Sequence, residues 1–346
     1  MKIKNLSILA AALLSLSMLF ASCDKAQTNN DPTETQPSVQ GAISNGAAAT
    51  TTVGKVETAE NGLSYQLHTV IASGEQFYAV YGIGSSKAAE LVIPATFKDI
   101  PVKAIGSSAF RGSKLLTSVT IPDSVTSIGD MAFENCDSLT TVTVGSGVEA
   151  IGKRAFSGCD LLSKITLGEG LKSIGYEAFQ SAVLLVDLAL PQSLNGIGER
   201  AFWGCYKLEN VTIGDQLTAI GRDAFYACGS IKYTEEDGVF YLGNDTNKHL
   251  LLAGFSDRTV ATFTVHSDTK YIGQGAFSKC EALTTVTLPA GITVISESAM
   301  DYCSQLTSIQ FQGTQEAWNQ VSKGYLWDYG TGNYTVTCTD GSVAKG

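Results

Sequence analysis

The chain has 346 residues, of which 44% are hydrophobic and only 16% charged, with a formal net charge of −10. So acidic a balance argues against nucleic acid or an anionic lipid face as the binding partner, since both call for basic patches. Length alone would suggest two domains at roughly 150 residues each, but repetition overrides that prior.

The N-terminus comes first. Lys2 and Lys4 precede an apolar run from Leu6 to Phe20, the layout of an export signal over residues 1–22. Its removal takes the charge from −10 to about −12, because two lysines and no acid leave with it. The run ends Leu19-Phe20-Ala21-Ser22-Cys23, which resembles a lipobox with Cys23 as the lipidated residue; the alternative is an ordinary signal peptide cut near Ala21 or Ser22. No later stretch is long and apolar enough to span a bilayer. Residues 23–59 are rich in Thr, Asn, Gln, Ala and Ser without periodicity, and read as a flexible, lipid-anchored tether.

Residues 60–104 carry short strand-like runs, Leu63 to Leu67 and Gln76 to Tyr81 among them, and read as an N-terminal β cap. Solenoids need such covers over their open ends. From Ile105 an Ile recurs at Ile128, Ile151, Ile174, Ile197 and Ile220, every 23 residues, and again at Ile272 and Ile295. An Ala-Phe pair keeps step at Phe110, Phe133, Phe156, Phe179, Phe202, Phe225 and Phe277, with Met300 in the last copy. A fixed period of this length marks a solenoid, in which one coil cannot bury its own apolar face and the stack makes the core. Leu139-x-x-Val142-x-Val144 places Val142 and Val144 on one face of a strand and Thr141 and Thr143 on the other. Stacked coils should therefore form a parallel sheet. Glycine after the isoleucine lets the backbone turn without a Cβ clash.

The step from Ile220 to Ile272 is 52 residues, read as 23 plus 29. Two apolar runs around Gly243 to Lys248 suggest a β-hairpin insertion over about residues 232–265, protruding from the coil edge. After residue 310 the period breaks, and Phe311, Trp318 and Trp327 should close the last coil as a C-terminal cap over residues 311–346.

The pattern Ile-Gly-x-x-Ala-Phe-x-x-Cys-x-x-Leu-x-x-Val-x-Ile-Pro resembles the BspA-like leucine-rich repeats of bacterial surface proteins, from about Gly62 onward. The resemblance implies a β-rich, right-handed solenoid of about eight coils over residues 105–310. It also implies an exported, non-enzymatic binding or adhesion protein. The partners implied are host extracellular-matrix proteins or other bacterial surfaces, and the expected state is a monomer with no cofactor and no metal.

Two surfaces are candidates for that binding. Outward strand positions include Thr143, Lys164, Thr166, Asp187, Asn210 and Thr212; β-branched threonine also simply suits an exposed strand. Trp203 and Tyr226 follow the Phe of adjacent coils, with Tyr206 nearby, and such aromatics suit protein hot spots or sugar stacking. A glycan-binding accessory lipoprotein is thus the alternative function. The cysteines at 136, 159, 205, 228, 280 and 303 share a register with Ser113 and Ala182, so the position selects small size; free buried thiols are expected, and one Cys per coil makes a column, not a metal cage. Glu134, Asp137 and Asp160 read as a solvated acidic edge. His68, His249 and His266 fall in no recurring register with a catalytic partner.

Overall fold

The computed structural model describes residues 51–221 and 223–345, so the export signal and Cys23 lie outside the described residues. The described residues divide into two compact units, 51–210 with Ala224–Ile231, and the described part of Val211–Asp223 with 232–345. Each is a β-solenoid.

In the first unit every coil has three walls. One is a stack of two-residue strands: Ala104 and Ile105 pair in parallel with Ser127 and Ile128, which pair with Ala150 and Ile151, then with Ser173 and Ile174, then with Gly196 and Ile197. The second is a parallel sheet of Glu90–Val92, Ser118–Ile121, Thr141–Val144 and Lys164–Thr166. Its alternation is as the period-two pattern requires: Val142 and Val144 are buried while Thr143 is exposed.

The third wall carries the Ala-Phe pair and is not regular strand. Its backbone nevertheless bonds along the stack, the N–H of Phe133, Phe156 and Phe179 each reaching the alanine carbonyl one coil on, at 2.7 Å. Two residues per turn take left-handed backbone here, for example Met131 (φ 56°) and Asn135 (φ 57°), at a cost of about 1–2 kcal/mol each for a side chain other than glycine. Their amides donate to Lys153 O and Ser157 O, both at 2.8 Å, so the strained conformation is what aims these donors at the neighbouring coil.

Inside, the phenylalanines form a column. Phe110, Phe133, Phe156, Phe179, Phe202 and Phe225 stack with centroids 4.9–5.3 Å apart and planes within 5° of parallel. The glycine after each isoleucine has a different task from that of a left-handed turn. A Cβ on Gly152 would lie 2.6 Å from Gly129 C and 2.7 Å from Asp130 N. Glycine is required because successive coils press backbone on backbone.

The first unit begins earlier than the periodicity suggests. Thr51–Thr58, assigned by sequence to the tether, is a strand antiparallel to Ser64–Val70, which pairs with Gln76–Gly82. Gln76–Gly82 then runs parallel to Ile100–Ile105, so Val80 is already a rung beside Ile105.

In the second unit the interruption is a coil rather than a protrusion. Val239–Leu242 and Leu251–Phe255 do form a hairpin, but Leu251–Phe255 continues in parallel into Tyr271–Ile272, Val294–Ile295 and Ser322–Lys323. Leu252 occupies the isoleucine position, 32 residues after Ile220 and 20 before Ile272. With Val80, Leu252 and Lys323 added as rungs, the turns among the described residues number eleven instead of about eight. Thr262–Thr264, Thr285–Leu288, Ser308–Phe311 and Thr335–Cys338 make the other sheet, ended by the antiparallel strand Gly341–Ala344. Before it, a six-residue helix, Gln315–Gln320, is capped by the Thr314 hydroxyl on the Ala317 N–H and buries Trp318 against Phe311 and Trp327.

Candidate functional site

The long-strand wall of the first unit uses its inward residues for the core and leaves the outward ones free. Thr120, Thr143, Thr166, Lys164, Asp187 and Asn210 are all exposed. Thr120, Thr143 and Thr166 occupy one register position on adjacent strands, as do Ser118, Thr141 and Lys164 beside them. Strand spacing of about 4.8 Å sets the distance between members of each row. Asn210 Nδ2 donates to Asp187 Oδ1 at 2.5 Å. Thr212 is exposed and belongs to the second unit.

The turn wall carries the aromatic candidates. Trp203 and Tyr226 are half-buried, with centroids 6.4 Å apart and planes 7° from parallel. The Gly204 amide donates to Tyr226 O at 2.9 Å, the same turn-to-turn bonding that stacks the phenylalanines, and it holds this outer pair in step. Tyr206 is 56% exposed and is not part of the ring pair.

Other residues sit differently from their sequence reading. Glu134 is not on a solvated edge: it is fully buried, its carboxylate between Arg111 Nε at 2.5 Å and Arg154 Nη2 at 2.8 Å. Arg154 extends the row to Glu177 at 3.5 Å. A signal existed, since Arg111 and Glu134 are one period apart with opposite charge. Asp137 is exposed and pairs with Lys114 at 2.8 Å.

The six repeat cysteines and Cys338 are free and buried. Cys136, Cys159, Cys205, Cys228 and Cys303 each donate Sγ–H to the phenylalanine carbonyl of the preceding coil, at 3.0–3.4 Å. The Cys159 and Cys205 thiols are held well above their ordinary range, first by their thiol neighbours Cys136 and Cys228 and then by burial. Cys136, on the other side of its pair, is shifted down by that same contact, so what the repeat thiols share is burial as small packing groups.

The histidines show what spacing could not. His249 and His266 stack with centroids 3.9 Å apart, and with Asp268 they place one ligand-capable atom each within 4.8 Å of one another. His68 lies elsewhere, stacked on Phe77, and burial lowers its pKa. No described helix is long and apolar enough to cross a membrane.

The BspA type Leucine rich repeat region matches in six copies over residues 103–232 and 252–322, more than half of the chain. No curated protein matches. Among solved structures, a leucine rich cell surface protein from Faecalibacterium prausnitzii is 23% identical, with 78% of this chain and 98% of that one covered and a TM-score of 0.45. A leucine-rich repeat protein from Bacteroides ovatus is 25% identical, with 81% and 67% covered and a TM-score of 0.45. The pneumococcal vaccine antigen PcpA is 18% identical, with 81% and 82% covered and a TM-score of 0.36.

Proposed function

The chain belongs to the BspA-type leucine-rich repeat family, and from that premise we propose that it is an exported, lipid-anchored binding and adhesion scaffold for proteins on host or bacterial surfaces. One observation supports this most: the long-strand wall presents exposed polar side chains at one register position on adjacent strands, Thr120, Thr143 and Thr166 among them. A partner meeting such a wall makes many weak contacts at fixed spacing. Repeat surfaces bind in this way, with no covalent step and no need for the scaffold to move. Anchoring rests on Cys23 at the end of the export signal, and membrane contact on that lipid alone.

The test immobilises host extracellular-matrix proteins and whole bacterial cells and measures binding of the full chain by interferometry. Alanine at Thr143, Lys164, Thr166, Asp187 and Asn210 together should abolish capture while leaving the melting temperature unchanged. Equal binding by that variant would overturn the assignment of this wall. Incorporation of labelled fatty acid, lost in Cys23→Ala, checks the anchor.

A second reading is favoured by the parallel Trp203 and Tyr226 rings, a ready platform for a sugar ring. Under it, Trp203→Ala with Tyr206→Ala and Tyr226→Ala loses polysaccharide retention, and the strand-wall variant does not.

A further inference from the structure

We propose that His249, His266 and Asp268 form a site for a divalent transition-metal ion, with Zn2+ the best match, and that Glu236 supports it by orienting His249. The four residues come from three separate segments of the second unit. Glu236 ends the strand Thr234–Glu236, His249 stands just before Leu251–Phe255, and His266 and Asp268 follow Thr262–Thr264. His266 and Asp268 stand 23 residues before Pro289 and Gly291, so the coil repeats their positions but not their side chains, and coil packing does not call for an imidazole or a carboxylate there.

The local structure is built to bring them together. Asn247 Nδ2 donates to Asp268 O at 2.7 Å, and Asn247 Oδ1 accepts the His249 N–H at 3.0 Å, tying the two turns. Asn247 is itself fixed by Asn244 Oδ1, which accepts its N–H at 2.9 Å. His266 Nδ1 accepts the Asp268 N–H at 3.2 Å, folding the carboxylate back beside the ring. Tyr241 packs edge-on against His249, with centroids 4.8 Å apart.

The chemistry of this set is specific. Two imidazoles and a carboxylate suit Zn2+ and its neighbours in the Irving–Williams order, and suit Ca2+ or Mg2+ poorly, since those ions prefer all-oxygen shells. His249 Nε2 is buried and faces Glu236 Oε2 at 2.9 Å. A carboxylate held against a ligating histidine fixes the orientation of its ring. Ligands of a tetrahedral zinc at about 2.0–2.1 Å lie roughly 3.3–3.5 Å from one another. The present separations, up to 4.8 Å, close to that by an inward swing of His266 and Asp268, both exposed and unconfined by the core.

The experiment is calorimetric titration of the full chain with ZnCl2, in wild type, His266→Ala, Asp268→Asn and the double variant His249→Ala/His266→Ala. His266 and Asp268 are exposed, so their variants test the site without endangering the fold. We expect one Zn2+ per chain, undisturbed by excess Ca2+. Either single variant should raise the dissociation constant by about tenfold or more, and the double variant should abolish binding. Co2+ in place of Zn2+ should give a visible spectrum without thiolate charge transfer. No uptake by wild type would overturn the proposal. So would unchanged affinity in the double variant, or a thiolate band, which would move the ion to a cysteine.

Discussion

Replacing Phe156 with alanine removes the middle of the ring column. Phe156 is fully buried, with Phe133 at 5.0 Å and Phe179 at 5.2 Å, both near-parallel. Truncating a buried phenylalanine costs about 3–5 kcal/mol through lost transfer energy and the cavity left behind. Two ring partners, at about 0.5–1.5 kcal/mol each, push this case to the upper end, about 4–5 kcal/mol. The coils above and below are held apart by their own side chains and by backbone bonds on all three walls, so collapse into the void is limited. Phe225, half-buried and last in the column, with Phe202 as its one ring partner among the described residues, should lose about half as much on the same change. Urea unfolding followed by far-UV circular dichroism and by tryptophan fluorescence measures both. A loss below about 1.5 kcal/mol for Phe156→Ala, or equal losses at the two positions, would refute the claim that the stacked rings form the core of this unit.

Gly152→Ala should destabilise by about 1–3 kcal/mol or more, because the new Cβ meets the backbone of Gly129 and Asp130, which has no rotamer to yield; a thermal melt checks it. Cys159→Ala should fold with a loss near 1 kcal/mol, while Cys159→Val, too large for the site, should lose about 1–3 kcal/mol in the same denaturation series. The repeat thiols should resist alkylation by iodoacetamide in the folded chain and react only after unfolding, as counted by mass spectrometry. Arg111→Ala with Arg154→Ala strands the buried Glu134 carboxylate and should cost about 3–5 kcal/mol; adding Glu134→Gln should recover much of it.

What could be read from the sequence follows from which residues the period constrains. Ile128, Phe133, Cys136, Leu139, Val142 and Val144 repeat because each meets its own counterpart one coil away, and a contact between like positions leaves a trace in spacing. The outward threonines could be placed by the same logic, since strand alternation fixes their side. The rung at Leu252 was hidden because its coils are 32 and 20 residues long, and the pattern cannot show where a longer turn gives length back. Thr51–Thr58 was missed because it is exposed and mostly polar and pairs at a sheet edge chiefly through backbone, with a few side-chain links such as Thr58 to Ser64, and backbone bonds have no composition. The same holds for His249, His266 and Asp268, whose meeting depends on Asn247 bridging two irregular turns. Glu134 was misread because burial of a carboxylate is decided by guanidinium groups from the coils on either side.

The turn-to-turn bonding of the three walls also sets how the first unit responds to force. Beyond its antiparallel N-terminal strands, the interstrand bonds of that unit run from one coil to the next, along the direction in which coils follow one another. Tension applied between the two ends of that unit therefore loads the bonds of one coil at a time, in opening rather than in shear. Such a spring peels stepwise at low force and re-forms coil by coil when released. If the chain acts as the proposed surface tether, it would serve as a compliant leash in flowing liquid, lengthening under drag before its grip on the partner gives way.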